Sequence, residues 1–146
     1  MFAPATPSRN ASSAFAGTYR AIGVETGVAA ASPHQLVTML FDGFNAAIAE
    51  ARIALAQGQV EAKCKALGRA LRIVDEGLKA PLDAAGGSLS EKLASLYSYV
   101  SLRLTQANLN NDVAALDECV KLLEPVRSAW VAIGPAAAAA SAETER

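Results

Sequence analysis

Histidine is almost missing from this sequence, with His34 the single example, and its two cysteines, Cys64 and Cys119, stand far apart and outside any C-x-x-C pair. These shortages exclude the usual zinc, haem and redox motifs, and a di-iron bundle built on two Glu-x-x-His motifs needs a second histidine. No metal and no cofactor is expected. Charge of one sign is not in excess either: 13 Lys plus Arg face 14 Asp plus Glu, so the basic surplus that drives phosphate-backbone binding is missing and no nucleic-acid partner is expected. Long hydrophobic runs are lacking too. The uncharged stretch from Thr26 to Phe41 is interrupted by Ser32, Pro33, His34, Gln35 and Thr38, which excludes a bilayer span, and no signal-peptide pattern opens the sequence. A cytoplasmic chain without membrane insertion is expected, with both thiols reduced and serving as small core residues.

The chain does carry a large apolar fraction: 52% of its 146 residues are hydrophobic although only 5% are aromatic, enough for one packed domain. Residues 1–18 hold Pro4, Pro7, Asn10, Ser12, Ser13 and Gly17 without a period, and 134–146 is a Gly-Pro stop followed by alanines; both ends read as disordered. Between them, turn signals occur at Gln57-Gly58-Gln59, Ala85-Gly86-Gly87 and Asn108 to Asn111. Four long segments result.

The first segment opens with Ser32 as N-cap, Pro33 at the first helical position and Gln35 three residues after the cap, which predicts a capping box and a helix over about 32–56. Its inward row is Leu36, Leu40, Phe44, Ala47, Ala51 and Leu55. A second helix over about 60–82 places Val60, Cys64, Leu67, Leu71, Val74 and Leu78 on a bundle seam, beside a small-residue row of Ala66, Ala70, Ile73 and Gly77. The third, about 88–108, starts with a second Ser/Glu capping box at Ser88 and Glu91 and carries Leu89, Leu93, Leu96, Tyr97, Val100, Leu104 and Ala107, with Tyr99 and Leu102 on a separate stripe. The fourth, about 112–133, shows Val113, Leu116, Val120, Leu123 and Trp130 on one side and Cys119, Leu122, Val126, Ala129 and Ile133 on another, with a kink predicted at Pro125. The fold class is therefore all-α: an antiparallel up-down four-helix bundle preceded by an apolar arm over 19–31 with at most a short helix.

No catalytic constellation emerges. His34 lies in the first turn of its helix, away from the cysteine stripes, and reads as a solvent-facing or locally bonded residue whose loss is nearly silent; the chain is not expected to be an enzyme. Gly86-Gly87-Ser88 lacks the Lys and the preceding strand of a phosphate loop. Lys65, Arg69, Arg72 and Lys79 are interleaved with Glu61, Asp75 and Glu76 and read as a solvated face. What a plain bundle does not require is the second apolar stripe on helices 1, 3 and 4. Such surface is covered by the arm, by a second copy of the chain or by an amphipathic segment of another protein, or else belongs to a wide core arc.

Tyr19; Val24-Glu25-Thr26; Ala31 to Leu36; Met39 to Gly43; Gly77-Leu78; Leu82-Asp83; Gly86-Gly87; Leu96 to Tyr99; Arg103-Leu104; Ala107-Asn108; Asn111-Asp112; and Ala129-Trp130 form an ordered series from Tyr19 to Ile133. In that order and spacing the chain resembles the FliS family, the cytoplasmic flagellin-export chaperones of bacteria. Ser98 departs from the Asp usual between the two tyrosines, Asn110 replaces a commoner basic residue, and the alanine-rich tail has no counterpart. The resemblance implies a helical bundle that binds the C-terminal segment of flagellin, prevents its premature polymerisation and helps deliver it to the gate of the flagellar type III export apparatus, without nucleotide or metal. It also implies that the arm covers part of the binding surface until a client displaces it. On that basis Tyr19 and Ile22 are the expected arm residues, and Tyr99, Leu102, Leu122 and Val126 the expected lining of the client groove. Asp42, Asn108 and Asp112 are expected to cap or bridge helix ends, and Tyr97, Leu40 and Trp130 to lie in the core. The alternative is a self-associating bundle, a homodimer or adaptor, that buries the same stripes.

Overall fold

The computed structural model describes residues 31–144. The expected arm with Tyr19 and Ile22 lies outside them. The first helix, α1 (Pro33–Ala56), begins as its sequence dictates: Gln35 N–H donates to Ser32 Oγ at 3.1 Å and Ser32 N–H to Gln35 Oε1 at 2.8 Å, closing the capping box ahead of Pro33. Leu36, Leu40, Phe41, Phe44, Ala47, Ile48 and Ala51 are buried, at the threes and fours of one helical face.

The second helix, α2, spans 60–85 in three pieces, α-helical Val60–Arg72, a π-helical segment Ile73–Lys79 and α-helical Ala80–Ala85. Its core face differs from the expected seam. The small row Ala66, Ala70, Ile73 and Gly77 is buried together with Leu67, Val74 and Leu78, whereas Val60 and Cys64 are exposed and Leu71 is half-buried. Two causes combine: α1, whose inward face carries Ala47, Ala51 and Ala54, packs most extensively against α2 and favours small residues at a close crossing, and the wider π turn holds Ile73, Val74, Gly77 and Leu78 inward together. Cys64 is thus no core residue, while Cys119 is.

The third helix, α3 (Ser88–Asn110), starts at the expected residue by a different device. Its N-cap is Gly87, with φ of 93°, and no side-chain cap bond forms; Glu91 N–H donates to Gly87 O at 3.0 Å. The predicted Ser88–Glu91 box is absent because Ser88 is already the first helical residue, one position too late for its hydroxyl to reach the third amide. The fourth helix, α4 (Val113–Thr144), is capped by Asp112, whose Oδ1 accepts from Ala115 N–H at 3.2 Å. Helical backbone angles run through Pro125, and the break comes at Gly134, with φ of 67°. Pro125 and Lys121, whose carbonyl loses its donor to the proline, are both exposed, so water can satisfy that carbonyl without a kink. Beyond Gly134 the alanine-rich segment, expected to be irregular, is helical to Thr144, in keeping with the high helix propensity of alanine.

No strand occurs among the described residues. α1 packs on α2 and α4, and α3 packs on α2 and α4, so the helices form a square in chain order with α1 and α3 diagonal. Connections at 57–59, 86–87 and 111–112 are too short for anything but antiparallel neighbours. Phe44, Leu40, Ile48, Ile73, Leu104 and Leu116 form the fully buried centre.

Candidate functional site

The seam between α3 and α4 has two halves of unlike chemistry. In the half beside the 111–112 turn, Tyr99 Oη–H donates to Glu118 Oε2 at 2.8 Å, Arg103 Nε–H donates to Glu118 Oε1 at 2.6 Å, and Arg103 also bonds Gln106 Oε1 at 2.7 Å. These bonds clip the two helices together at the surface. The Arg103 guanidinium, helped by the Tyr99 hydroxyl, holds the Glu118 carboxyl below the usual glutamate range, while the same carboxylate raises the Tyr99 phenol and the Arg103 guanidinium.

The antiparallel register set by the Tyr99–Glu118 and Arg103–Glu118 bonds brings Leu96 level with Leu122 and Leu123, and Leu93 level with Val126. This second half has no hydrogen bond or ion pair across it among the described residues, and Lys92 is exposed on the same row of α3. Leu93, Leu96, Leu122 and Val126 are half-buried against the core, and Leu89 (69% exposed) and Ile133 (50%) lie open at its mouth. The seam is therefore closed by polar clips at one end and is an open apolar furrow at the other.

The expected lining residues distribute unevenly over this geometry. Leu122 and Val126 belong to the furrow, and Tyr99, 42% exposed, sits at its boundary with the polar half. Leu102 does not join them. Between the buried Val100 and Leu104 it points away from the core, as does Leu109 seven residues later, so both lie on the outer face of α3. Leu89, Leu93 and Leu96, read from sequence as core, are the furrow's α3 wall; their position in the first turns of α3, where α2 ends and no further element among the described residues covers them, is what leaves them open. Tyr97 and Leu40 are core residues as expected, with the Tyr97 phenol pushed up to about 12 by burial. Trp130 is half-buried against the core.

Other polar residues bridge neighbouring helices, and Asp42, expected at a helix end, lies in the middle of α1. Asp42 accepts from Arg127 Nε at 3.0 Å across α1 and α4, which are also joined by the Arg52–Asp117 pair, and Arg69 pairs with Glu50 between α2 and α1. Arg72 pairs with Glu76 along α2. Sequence reasoning missed Lys63. Its side chain is buried, and Nζ donates to Asn108 O at 2.9 Å and to Asn111 Oδ1 at 2.6 Å, gripping the end of α3 where Asn111 adopts a left-handed conformation. The Asn108 and Asn111-Asp112 motif is thus a helix-end joint. A lysine on an otherwise apolar helical row was the available signal.

His34 departs most from expectation. It is 7% exposed rather than solvent-facing, and its partner is remote rather than local: Nε2–H donates to Trp130 O at 2.8 Å, Trp130 Nε1–H donates to His34 O at 3.0 Å, and the rings stack at 4.9 Å with 13° between planes. The acceptor fixes the tautomer, because a carbonyl oxygen can only accept. Cys119 is buried and its thiol is pushed up to about 11, which makes it inert rather than nucleophilic. Among the described residues no group of three or more His, Cys, Asp or Glu is placed to hold a metal ion, and no helix is long and apolar enough to cross a membrane.

In class, then, the molecule is an all-α helical bundle with a polar-clipped seam, a partly exposed apolar strip and leucines on the outside of α3. The family described as "Flagellar protein FliS" matches residues 15–137. The chain is 49% identical over 120 residues to the flagellar secretion chaperone FliS of Salmonella typhimurium, covering 82% of this chain and 89% of that one. It is 42% identical over 113 residues to the same-named protein of Escherichia coli (77% and 83%), and 32% identical over 106 residues to that of Bacillus subtilis (73% and 78%). The chain belongs to the FliS family of flagellar secretion chaperones, which are not enzymes.

Proposed function

We propose that this protein is a cytoplasmic chaperone that binds the C-terminal segment of flagellin, blocks its premature polymerisation and assists its delivery to the gate of the flagellar type III export apparatus. Membership of a family of flagellar secretion chaperones supports the export role. The observation that carries the client reading is the partly exposed apolar strip along the second half of the α3–α4 seam, together with the exposed Tyr99 at its boundary and Leu102 on the outer face of α3. A helix-forming segment that is unstructured alone buries its own apolar face by lying in such a groove, and the ordering it undergoes keeps the complex reversible. Leu122, Val126 and Tyr99 are the proposed lining, Leu102 the proposed contact on the outer face of α3, and Tyr19 and Ile22 the arm residues that compete for the same surface.

The test is co-purification and titration with a peptide of the C-terminal helical segment of flagellin from the same organism. A one-to-one complex with increased helicity is expected. Concentration-dependent dimers that the peptide leaves untouched would replace this reading with self-association.

A further inference from the structure

The turns of α4 just ahead of Gly134 have almost nothing to hold them. From Ser128 to Ile133 every side chain except Trp130 is exposed, so the grip of these turns on the bundle reduces to Trp130, with the Arg127–Asp42 pair one residue upstream. Both attachments go to α1. Trp130 meets His34 through two reciprocal hydrogen bonds and a stacked ring pair, while no polar bond ties 122–133 to α3 among the described residues.

Trp130 lies four residues before Gly134 leaves helical geometry, and its carbonyl accepts from His34 Nε2–H. The clasp therefore pins the turn ahead of Gly134 to α1. Pinned there, this part of α4 is held beside α1, and Leu89 and Ile133 are exposed on the two sides of the furrow.

We propose that His34 and Trp130 are positioning residues for client binding: their clasp preorganises the apolar furrow in its open form, so that a client segment enters without first moving α4. The inference rests on the client reading above. A group that is held open in advance spares the complex the free energy of opening it, which appears as affinity without any direct contact.

The experiment compares the full-length protein with His34→Ala, His34→Gln and Trp130→Phe, measuring flagellin-peptide affinity by titration, amide hydrogen exchange over 126–133, and global unfolding in urea. His34→Ala is expected to speed exchange over 126–133 and to weaken the peptide complex about tenfold or more, a loss of about 1.4 kcal/mol per decade. His34→Gln, which retains an N–H donor for the Trp130 carbonyl, is expected to recover part of that affinity, which a merely structural loss of packing would not do. If His34→Ala fails to fold, Trp130→Phe decides, since it keeps an aromatic ring beside His34 and removes the donation to the His34 carbonyl together with part of the indole's packing. Faster exchange at the end of α4 with peptide affinity unchanged within about twofold would overturn the proposal. Absence of peptide binding by the unmodified protein would instead overturn the client reading on which it rests.

Discussion

Replacing Lys63 with methionine is the sharpest test of how α3 ends. The ammonium of Lys63 is buried and bonded to the Asn108 carbonyl at 2.9 Å and to the Asn111 side chain at 2.6 Å. Asn108 belongs to the last turn of α3, and the donor four residues on, Asp112 N–H, is given to Ala107 O instead, so methionine leaves the Asn108 carbonyl without the lysine's donation. A buried acceptor left unpaired costs about 1–3 kcal/mol. Methionine fills nearly the same volume and relieves the burial of a charge, which works in the other direction, so the net loss is set at the low end of that range, about 1 kcal/mol, or about 4 °C in the midpoint of thermal unfolding. Urea unfolding followed by far-ultraviolet circular dichroism reads it: the midpoint falls while the slope with denaturant is unchanged. A methionine variant as stable as the parent would refute the reasoning, because it would mean that confining the charge costs as much as its two bonds return.

Further outcomes follow from the same geometry. Asp112→Ala removes the side-chain acceptor for Ala115 N–H and is expected to cost about 1 kcal/mol in the same urea assay. Glu118 titrates below the ordinary glutamate range in the folded chain, so its contribution to stability is complete at neutral pH, where it is ionised in both states, and is lost as pH falls through the folded value; Glu118→Gln is expected to flatten that part of the acid limb in urea midpoints taken against pH, and an unchanged limb would contradict the clip. Leu102→Glu places a charge on an already exposed position and is expected to leave stability within about 0.5 kcal/mol while weakening the flagellin-peptide complex severalfold by titration. Equal affinity would remove the outer face of α3 from the docking surface.

The helices were legible because local chemistry dictates them: Ser32, Pro33 and Gln35 start α1 by themselves, and Gly86-Gly87 ends one helix and begins the next whatever surrounds it. The inward face of α2 was not. A pattern of larger residues at fours and threes favoured Val60 and Cys64, but burial depends on how near the partner comes, and a partner face of alanines selects the small row instead; the π segment changes the period on which the pattern rests. His34 and Lys63 were misread or missed for one reason. Their roles lie in hydrogen bonds to carbonyls of residues distant in the chain, and a carbonyl carries no sequence identity. Of the candidate surface, Leu122, Val126 and Tyr99 were visible as spare stripes, whereas the division of the seam into a clipped half and an open half required the register between α3 and α4.

The central claim is that apolar surface left open on this bundle receives an unstructured client. Isothermal titration of the full-length protein with the C-terminal segment of its organism's flagellin tests it directly. The account predicts saturable one-to-one binding in the nanomolar to micromolar range, with a negative heat-capacity change from buried apolar area and with binding lost on charging the furrow by Val126→Asp. Heats that never saturate, or binding that Val126→Asp leaves intact, would contradict it.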